Sequence, residues 1–239
     1  MEPIHTQNFT IDQIHVDCFG RVKPSVLLYF VQEAAGRHCS LLAVDRETLS
    51  HKHLFWAVSR NRVQITRLPR LGETIRVETW PMPTTRVAYP RSVVAYDGQG
   101  NELFRSISLW VLMDSRTRAM ILPGKSGITV DGTLTGTELS VPHAIATRPM
   151  ENTVTRTVGY SLLDQNGHMN NTRYMDWVED LLPSAFHKEH PVQEFTVCYL
   201  NEAREGDEIA VSSALSDGPT LTVDAQRQGE RIFSAQVLF

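Results

Sequence analysis

Apolar residues recur along this chain with two periods. Val26, Leu27, Phe30, Val31, Ala34, Ala35, His38, Leu41 and Leu42 trace one stripe, the spacing of a helix buried on one side. Pro24 stands at its first turn, where a missing N–H costs nothing. Tyr174, Trp177, Val178, Leu181, Leu182, Ala185 and Phe186 make a second stripe and predict a second continuous helix. Elsewhere the pattern is that of strands, predicted over 8–16, 55–67, 74–80, 86–96, 102–113, 153–161, 195–200, 208–214, 220–226 and 231–239. Turn signals divide them: Pro69-x-x-Gly72, Pro81-x-Pro83, Asp97-Gly98-x-Gly100 and Gln228-Gly229. A long helix followed by antiparallel strands implies an α+β domain in which a curled sheet wraps a helix.

The pattern occurs twice. Asp17-x-x-Gly20 before the first helix aligns with Asp164-x-x-Gly167 before the second. Leu71-Gly72-Glu73-Thr74-Ile75-Arg76-Val77 aligns with Glu205-Gly206-Asp207-Glu208-Ile209-Ala210-Val211, and the strand from Arg105 with that from Arg231. An internal duplication explains all three matches. The expected division is 1–122, a connecting stretch 123–149 rich in Gly, Thr, Ser and Pro, and 150–239. That stretch reads as a linker, although a long ordered crossover would have a similar texture.

The copies differ where chemistry would sit. Asn166 and His168 of the second face Phe19 and Arg21 of the first, and Asn170-Asn171 face Lys23-Pro24. The stretch Asp164-Gln165-Asn166-Gly167-His168-Met169-Asn170-Asn171 places a carboxylate, carboxamides and an imidazole just before a helix. Gly167 permits a bend, Asn170 or Asn171 can cap the helix, and a helix start can hold developing negative charge. If the turn is locally extended, Asp164, Asn166 and His168 point to one side. A carboxylate there can activate water or attack a carbonyl, and amide or imidazole N–H groups can hold the attacked oxygen. Glu202 ends the strand predicted at 195–200 and offers a further carboxylate. The chain has no Gly-x-Ser-x-Gly elbow, no phosphate loop and no His-Glu-x-x-His zinc helix. His51-x-His53 lacks a third ligand, so neither a metal nor a cofactor is expected.

Net charge is −4, which disfavours nucleic acid as a partner. Seven arginines against two acids between Arg60 and Arg91 make either a solvated strand face or a dock for an acidic partner. No run approaches the roughly 20 apolar residues of a membrane span, and the first residues resemble no signal peptide, so a cytoplasmic location is expected. Cys18, Cys39 and Cys198 follow no metal or redox spacing and are expected to act as small buried hydrophobes.

Asp164-x-Asn166-x-His168-x-Asn170-Asn171-x-x-Tyr174 and the helix after it resemble the acyl-ACP thioesterase family of bacteria and plastids. Trp56-Ala57-Val58-Ser59-Arg60, Pro69-x-x-Gly72-Glu73, Glu78-Thr79-Trp80 and Leu109-Trp110-Val111-Leu112-Met113 are similar to its N-terminal pattern. The resemblance implies two tandem hot-dog domains, each an antiparallel sheet around a long helix. It implies a C-terminal copy that hydrolyses fatty acyl thioesters of acyl carrier protein and an N-terminal copy that holds the chain. By position Asp164, Asn166, His168 and Glu202 match the family's catalytic residues, with either Asp164 or Glu202 acting as base or nucleophile. Phe30, Ala34, Ala35, His38, Trp56, Asn170 and Asn171 are the expected substrate-binding residues. Plant members carry a cysteine after that glutamate; Ala203 stands here, which makes a cysteine mechanism unattractive. The other readings are an acyl-CoA thioesterase and a non-catalytic acyl-sensing module, with the chain a monomer or a homodimer.

Overall fold

The computed structural model describes residues 3–216 and 218–239. In chain order the elements are β1 (His5–Thr10), α1 (Pro24–Leu41), α2 (Arg46–Ser50), β2 (Leu54–Ile65), β3 (Thr74–Pro81), β4 (Tyr89–Tyr96), β5 (Glu102–Asp114), β6 (Met120–Ile121) and α3 (Pro123–Ser126). They continue with β7 (Asn152–Thr157), α4 (Arg173–Glu179), α5 (Ser184–Glu189), β8 (Glu194–Tyr199), β9 (Glu208–Ser216), β10 (Thr220–Arg227) and β11 (Glu230–Leu238). The described chain divides into two compact units: one runs to Lys23 and over Leu27–Pro142, the other takes Pro24–Val26 and His143–Phe239.

The first unit is an antiparallel sheet in the order β1-β3-β4-β5-β2, with β6 on β5. The second has the order β7-β9-β10-β11-β8. Each β1, β2, β3, β4, β5 thus has its counterpart in β7, β8, β9, β10, β11, and the duplication read from three short matches extends to the strand order. In the first unit α1 buries Leu27, Phe30, Val31, Ala34, Ala35 and His38, with Phe30 against Phe9 of β1 at 4.7 Å between rings. The stripe therefore places a helix on one sheet face, where burying each large apolar side chain contributes about 1.5–3 kcal/mol.

The second copy departs from the expected long helix. The stripe from Tyr174 to Phe186 is divided between α4, which ends at Glu179, and α5, which begins at Ser184. Pro183 is the cause: it has no N–H to give to the carbonyl of residue 179, and its ring would crowd that carbonyl. The Glu179 carbonyl, which accepts from Leu182 N at 3.3 Å, lies 2.9 Å from the His187 Nε2. His187 and Lys188 lie in the last turn of α5. The strands predicted at 8–16 and 153–161 are also shorter, because each gives way to a single 3-10 turn, Gln13–His15 and Tyr160–Leu162.

The stretch after Ser126 has no regular element before Asn152, yet its first part is tied to the first unit as an ordered crossover. Arg60 Nη1 donates to Pro142 O at 2.9 Å, Arg62 Nη1 to Ser140 Oγ at 2.8 Å and Arg105 Nη1 to Thr137 O at 2.9 Å. Trp80 Nε1 donates to Glu138 Oε1 at 3.1 Å. Gly132 is required where the crossover lies on the Met82-Pro83 backbone, since a Cβ there would stand 2.3 Å from Met82 C.

These bonds also revise the arginine-rich segment. Arg91 is buried, Arg67 pairs with Glu73 and Asp97, Arg76 pairs with Glu78, and Arg60 and Arg62 hold the crossover. The excess of charge is thus not one free basic face. Cys198 is buried as expected, but Cys18 is exposed and Cys39 only half-buried. No helix among the described residues is long and apolar enough to cross a membrane.

Candidate active site

The site begins with a turn that a single carboxylate organises. Asp164 Oδ1 accepts from the backbone N–H groups of Asn166 (2.7 Å) and His168 (3.4 Å), and Oδ2 accepts from Asn166 Nδ2 (3.2 Å). Asp164 N donates to His168 O at 2.8 Å, which closes the loop, and Gly167 takes φ 73° inside it. Only glycine adopts that left-handed conformation without cost. The segment is therefore a closed turn, not the extended run in which alternate side chains share a face.

The first unit repeats this construction. Asp17 Oδ1 accepts from Phe19 N (2.8 Å) and Arg21 N (3.0 Å), Asp17 N donates to Arg21 O (2.7 Å), and Gly20 has φ 72°. There Asp17 Oδ2 meets the Arg21 guanidinium instead of a carboxamide. Because both copies use the aspartate in the same way, its local duty is to shape the turn.

What the turn presents differs. Met169 N donates to Ala203 O at 2.8 Å, and His168 forms an isolated antiparallel bridge with Arg204. That short pairing carries Glu202 alongside, with Glu202 Oε2 3.2 Å from His168 Nε2. The imidazole is 16% exposed and the carboxylate 40%, so the pair has a shielded end and an end open to solvent. In the first unit Arg21 bridges Arg70 and Val22 N donates to Pro69 O. The equivalent of Glu202 is thus Leu68. The repeat of Leu71-Gly72 at Glu205-Gly206 already set Leu68 opposite Glu202 in the sequence, and it marks the glutamate as peculiar to the second copy.

Two further residues border the pair that sequence reasoning passed over. Arg204 Nη2 lies 4.0 Å from Glu202 Oε2, and Arg227 Nη1 donates to the Glu202 carbonyl at 3.3 Å. Arg227 also pairs with Asp207, which accepts from Arg204 N at 2.8 Å. Burial pushes the Asp207 carboxyl up, but the Arg204 amide and the Arg227 guanidinium outweigh it and hold the group below its ordinary range. The base of the site is Tyr174, a buried phenol packed on Phe233 (4.8 Å) and Tyr199 (5.7 Å) and pushed well up by that burial.

Asn170 and Asn171 serve the fold. Asn170 Oδ1 accepts from Thr172 N and Thr172 Oγ1, both at 2.9 Å, and Asn170 O accepts from Arg173 N. Asn170 thus accepts from the N–H groups of Thr172 and Arg173, where α4 begins. Asn171 O accepts from Tyr199 Oη at 3.0 Å. In the first unit Phe30, Ala34, Ala35 and His38 all lie on the buried face of α1. Trp56 is half-buried, donates to Val44 O at 2.8 Å and meets Tyr89 edge-on at 4.9 Å. Among the described residues no group of three or more His, Cys, Asp and Glu side chains could hold a metal.

Comparison with known proteins agrees with this duplicated architecture. Residues 2–122 match the acyl-ACP thioesterase N-terminal domain and residues 148–239 its C-terminal domain. A crystal structure of an acyl-ACP thioesterase from Bacteroides thetaiotaomicron superposes with a TM-score of 0.89 at 26% identity, over 99% of this chain and 98% of that one. The 12:0-ACP thioesterase from Umbellularia californica shares the fold, with a TM-score of 0.84 at 23% identity over 100% and 97% of the two chains. A palmitoyl-acyl carrier protein thioesterase, chloroplastic, from Gossypium hirsutum is 24% identical over 91% of this chain. The chain spans 56% of that relative's length, and 53% of a dodecanoyl-[acyl-carrier-protein] hydrolase from Cinnamomum camphora that is 25% identical over 79% of this chain. The two strand-for-strand equivalent sheets are the tandem hot-dog fold. With both halves matched in order, the chain belongs to the acyl-ACP thioesterase family.

Proposed function

We propose that this protein hydrolyses the thioester between a fatty acyl chain and the phosphopantetheine of acyl carrier protein, in the cytoplasm, as part of fatty acid biosynthesis. The observation that carries the reading is the 3.2 Å contact between His168 Nε2 and Glu202 Oε2, which the first unit replaces with Arg21 and Leu68. Glu202 takes a proton from water as the water oxygen bonds to the thioester carbonyl carbon. His168 keeps an N–H on the Glu202 carboxylate and fixes its orientation. The second N–H of the exposed Asn166 amide is free of the Asp164 bond and holds the oxyanion, a contribution of about 3–4 kcal/mol for a well-placed donor. Collapse of the tetrahedral adduct breaks the C–S bond, and the proton held by Glu202 passes to the leaving thiolate. Free fatty acid and holo-carrier protein are the products.

In this scheme Asp164 positions Asn166 and His168, Asn170 and Asn171 fix the turn to the helix, and the second unit is catalytic. The first unit is the acyl-binding domain, with Phe30, Ala34, Ala35, His38 and Trp56 along its helix and sheet. The test is release of free acid from acyl-ACP and acyl-CoA by the wild type, Glu202→Gln and His168→Gln. Loss of the proton acceptor should lower kcat by about two or more decades. Full activity in Glu202→Gln would sink the mechanism, and a higher kcat/KM on acyl-CoA would transfer the activity to that carrier.

A further inference from the structure

The first unit contains a buried charge that the thioesterase scheme leaves unused. Arg91 of β4 is 5% exposed. Its guanidinium meets His38 Nδ1 at 3.1 Å, Thr79 Oγ1 at 3.2 Å and Cys39 Sγ at 3.8 Å. None of the described carboxylates forms an ion pair with it. A guanidinium stays protonated in proteins, and a buried charge without a counter-ion is costly. Burial pushes the Cys39 thiol up, so that neighbour stays neutral and supplies no negative charge.

The surroundings are polar in a place where a sheet face under a helix is ordinarily apolar. Arg91 contacts α1 through His38 and Cys39, so its side of β4 faces the helix. Register places Ser108 opposite Arg91, Ser106 opposite Val93 and His5 opposite Thr79, and strand alternation turns all of them to the same face. His5 stacks on His38 with ring centroids 5.7 Å apart. Three atoms on this face, His5 Nε2, Gln7 Oε1 and Ser106 Oγ, are buried without a hydrogen-bond partner. Ser106 itself is 1% exposed. Buried polar atoms are nearly always satisfied, and two of these exceptions, His5 Nε2 and Ser106 Oγ, lie in the row of the sheet next to the uncompensated cation, which marks a place suited to another molecule.

We propose that this inner face binds a carboxylate carried on an aliphatic chain, with Arg91 as the counter-charge and His5 and Ser106 as the neutral donors beside it. A carboxylate supplies the missing charge and accepts from guanidinium, imidazole and hydroxyl donors at once. The apolar neighbours Phe30, Val31 and Ala34 on α1 suit the methylenes that carry it. Two sources share this chemistry: a free fatty acid, or an acyl thioester whose far end bears a second carboxylate. Only the latter rests on the thioesterase reading.

The experiment uses the full chain as wild type, Arg91→Met and Arg91→Lys, with octanoate and the neutral octanol as probes. Octanoate should raise the wild-type Tm while octanol does not, and the response should vanish in Arg91→Met and persist in Arg91→Lys. Without ligand, Arg91→Met should melt at or above the wild type, because it removes an uncompensated charge; a merely structural arginine would lower the Tm. Next, kcat/KM is compared for an octanoyl thioester and an 8-carbon thioester ending in a carboxylate. A preference for the latter that falls about tenfold in Arg91→Met, a loss of about one 1.4 kcal/mol step, identifies the doubly functional acyl chain as the ligand. An unchanged ratio with an intact Tm response identifies the free acid. If wild type hydrolyses neither thioester but still responds to octanoate, the proposed activity fails and this site stands. If octanoate leaves the wild-type Tm unmoved and the substrates are not discriminated, the site is refuted, whether or not Arg91→Met folds.

Discussion

Replacing Asp164 by Asn separates a carboxylate that builds a turn from one that takes a proton. The native side chain accepts from Asn166 N, His168 N and Asn166 Nδ2. An asparagine retains one carbonyl oxygen for the backbone donors, but its own NH2 then faces the Asn166 NH2, and one bond is lost. Allowing for the exposure of the turn, that amounts to about 1–2 kcal/mol. The melting temperature should fall by about 2–8 °C. If the whole of that energy is felt in the transition state through a displaced Asn166 or His168, kcat falls by about 5–30-fold. Removing a general base costs about 10²–10⁴-fold instead. Steady-state hydrolysis of acyl-ACP at saturation, with calorimetry on the same samples, measures both quantities. Asp17→Asn is the control, since Asp17 holds the equivalent turn with the Arg21 guanidinium in place of the carboxamide. It should lose comparable stability and leave kcat nearly intact. A well-folded Asp164→Asn variant that loses three decades of kcat would refute the positioning role and return Asp164 to the chemistry. Loss of turnover in Asp17→Asn at unchanged Tm would overturn the single-site reading.

Two further outcomes follow from burial and charge. Ala34 and Ala35 lie fully inside, at 0% and 3% exposure. Ala34→Phe or Ala35→Phe should therefore cost about 1–3 kcal/mol of stability by overpacking and shift products to shorter acids, each excluded methylene forgoing about 0.8 kcal/mol; an unaltered product profile from a folded variant would place the acyl chain elsewhere. The second concerns Glu138. Burial works against its carboxylate, and donors from Thr135, Gly136 and Trp80 outweigh it to hold the pKa at about 2, below 4.5. A depressed folded pKa gives stability that is complete above the unfolded value and lost as pH falls through the folded one. The crossover should thus weaken progressively between pH 4.5 and 2, and the Trp80 indole N–H resonance should titrate near the lower limit. A midpoint at 4.5 would show that Glu138 does not hold the crossover.

The sequence by itself determined the order of helix and strands, because hydrophobic periodicity reflects which side of each element is buried. It also determined the duplication, the Asp-x-x-Gly turn and the loss of polar groups from the first copy, since these are local or repeated patterns. Leu68 opposite Glu202 lay within reach of the same alignment. Tertiary structure decided the rest. Pro183 sits within a helical apolar period, and only the chain's actual path shows that its missing N–H prevails and divides α4 from α5. Asp164 looks the same in sequence as base or as turn-builder, and only the folded turn shows which donors its carboxylate accepts from. The approach of Glu202 to His168 depends on the bridge of His168 to Arg204, a pairing between segments with no shared local signal. Arg91 reads in sequence as one more strand arginine, while the register of β4 turns it inward beneath α1. Alternation gives a strand two faces, but packing alone selects which of them meets water.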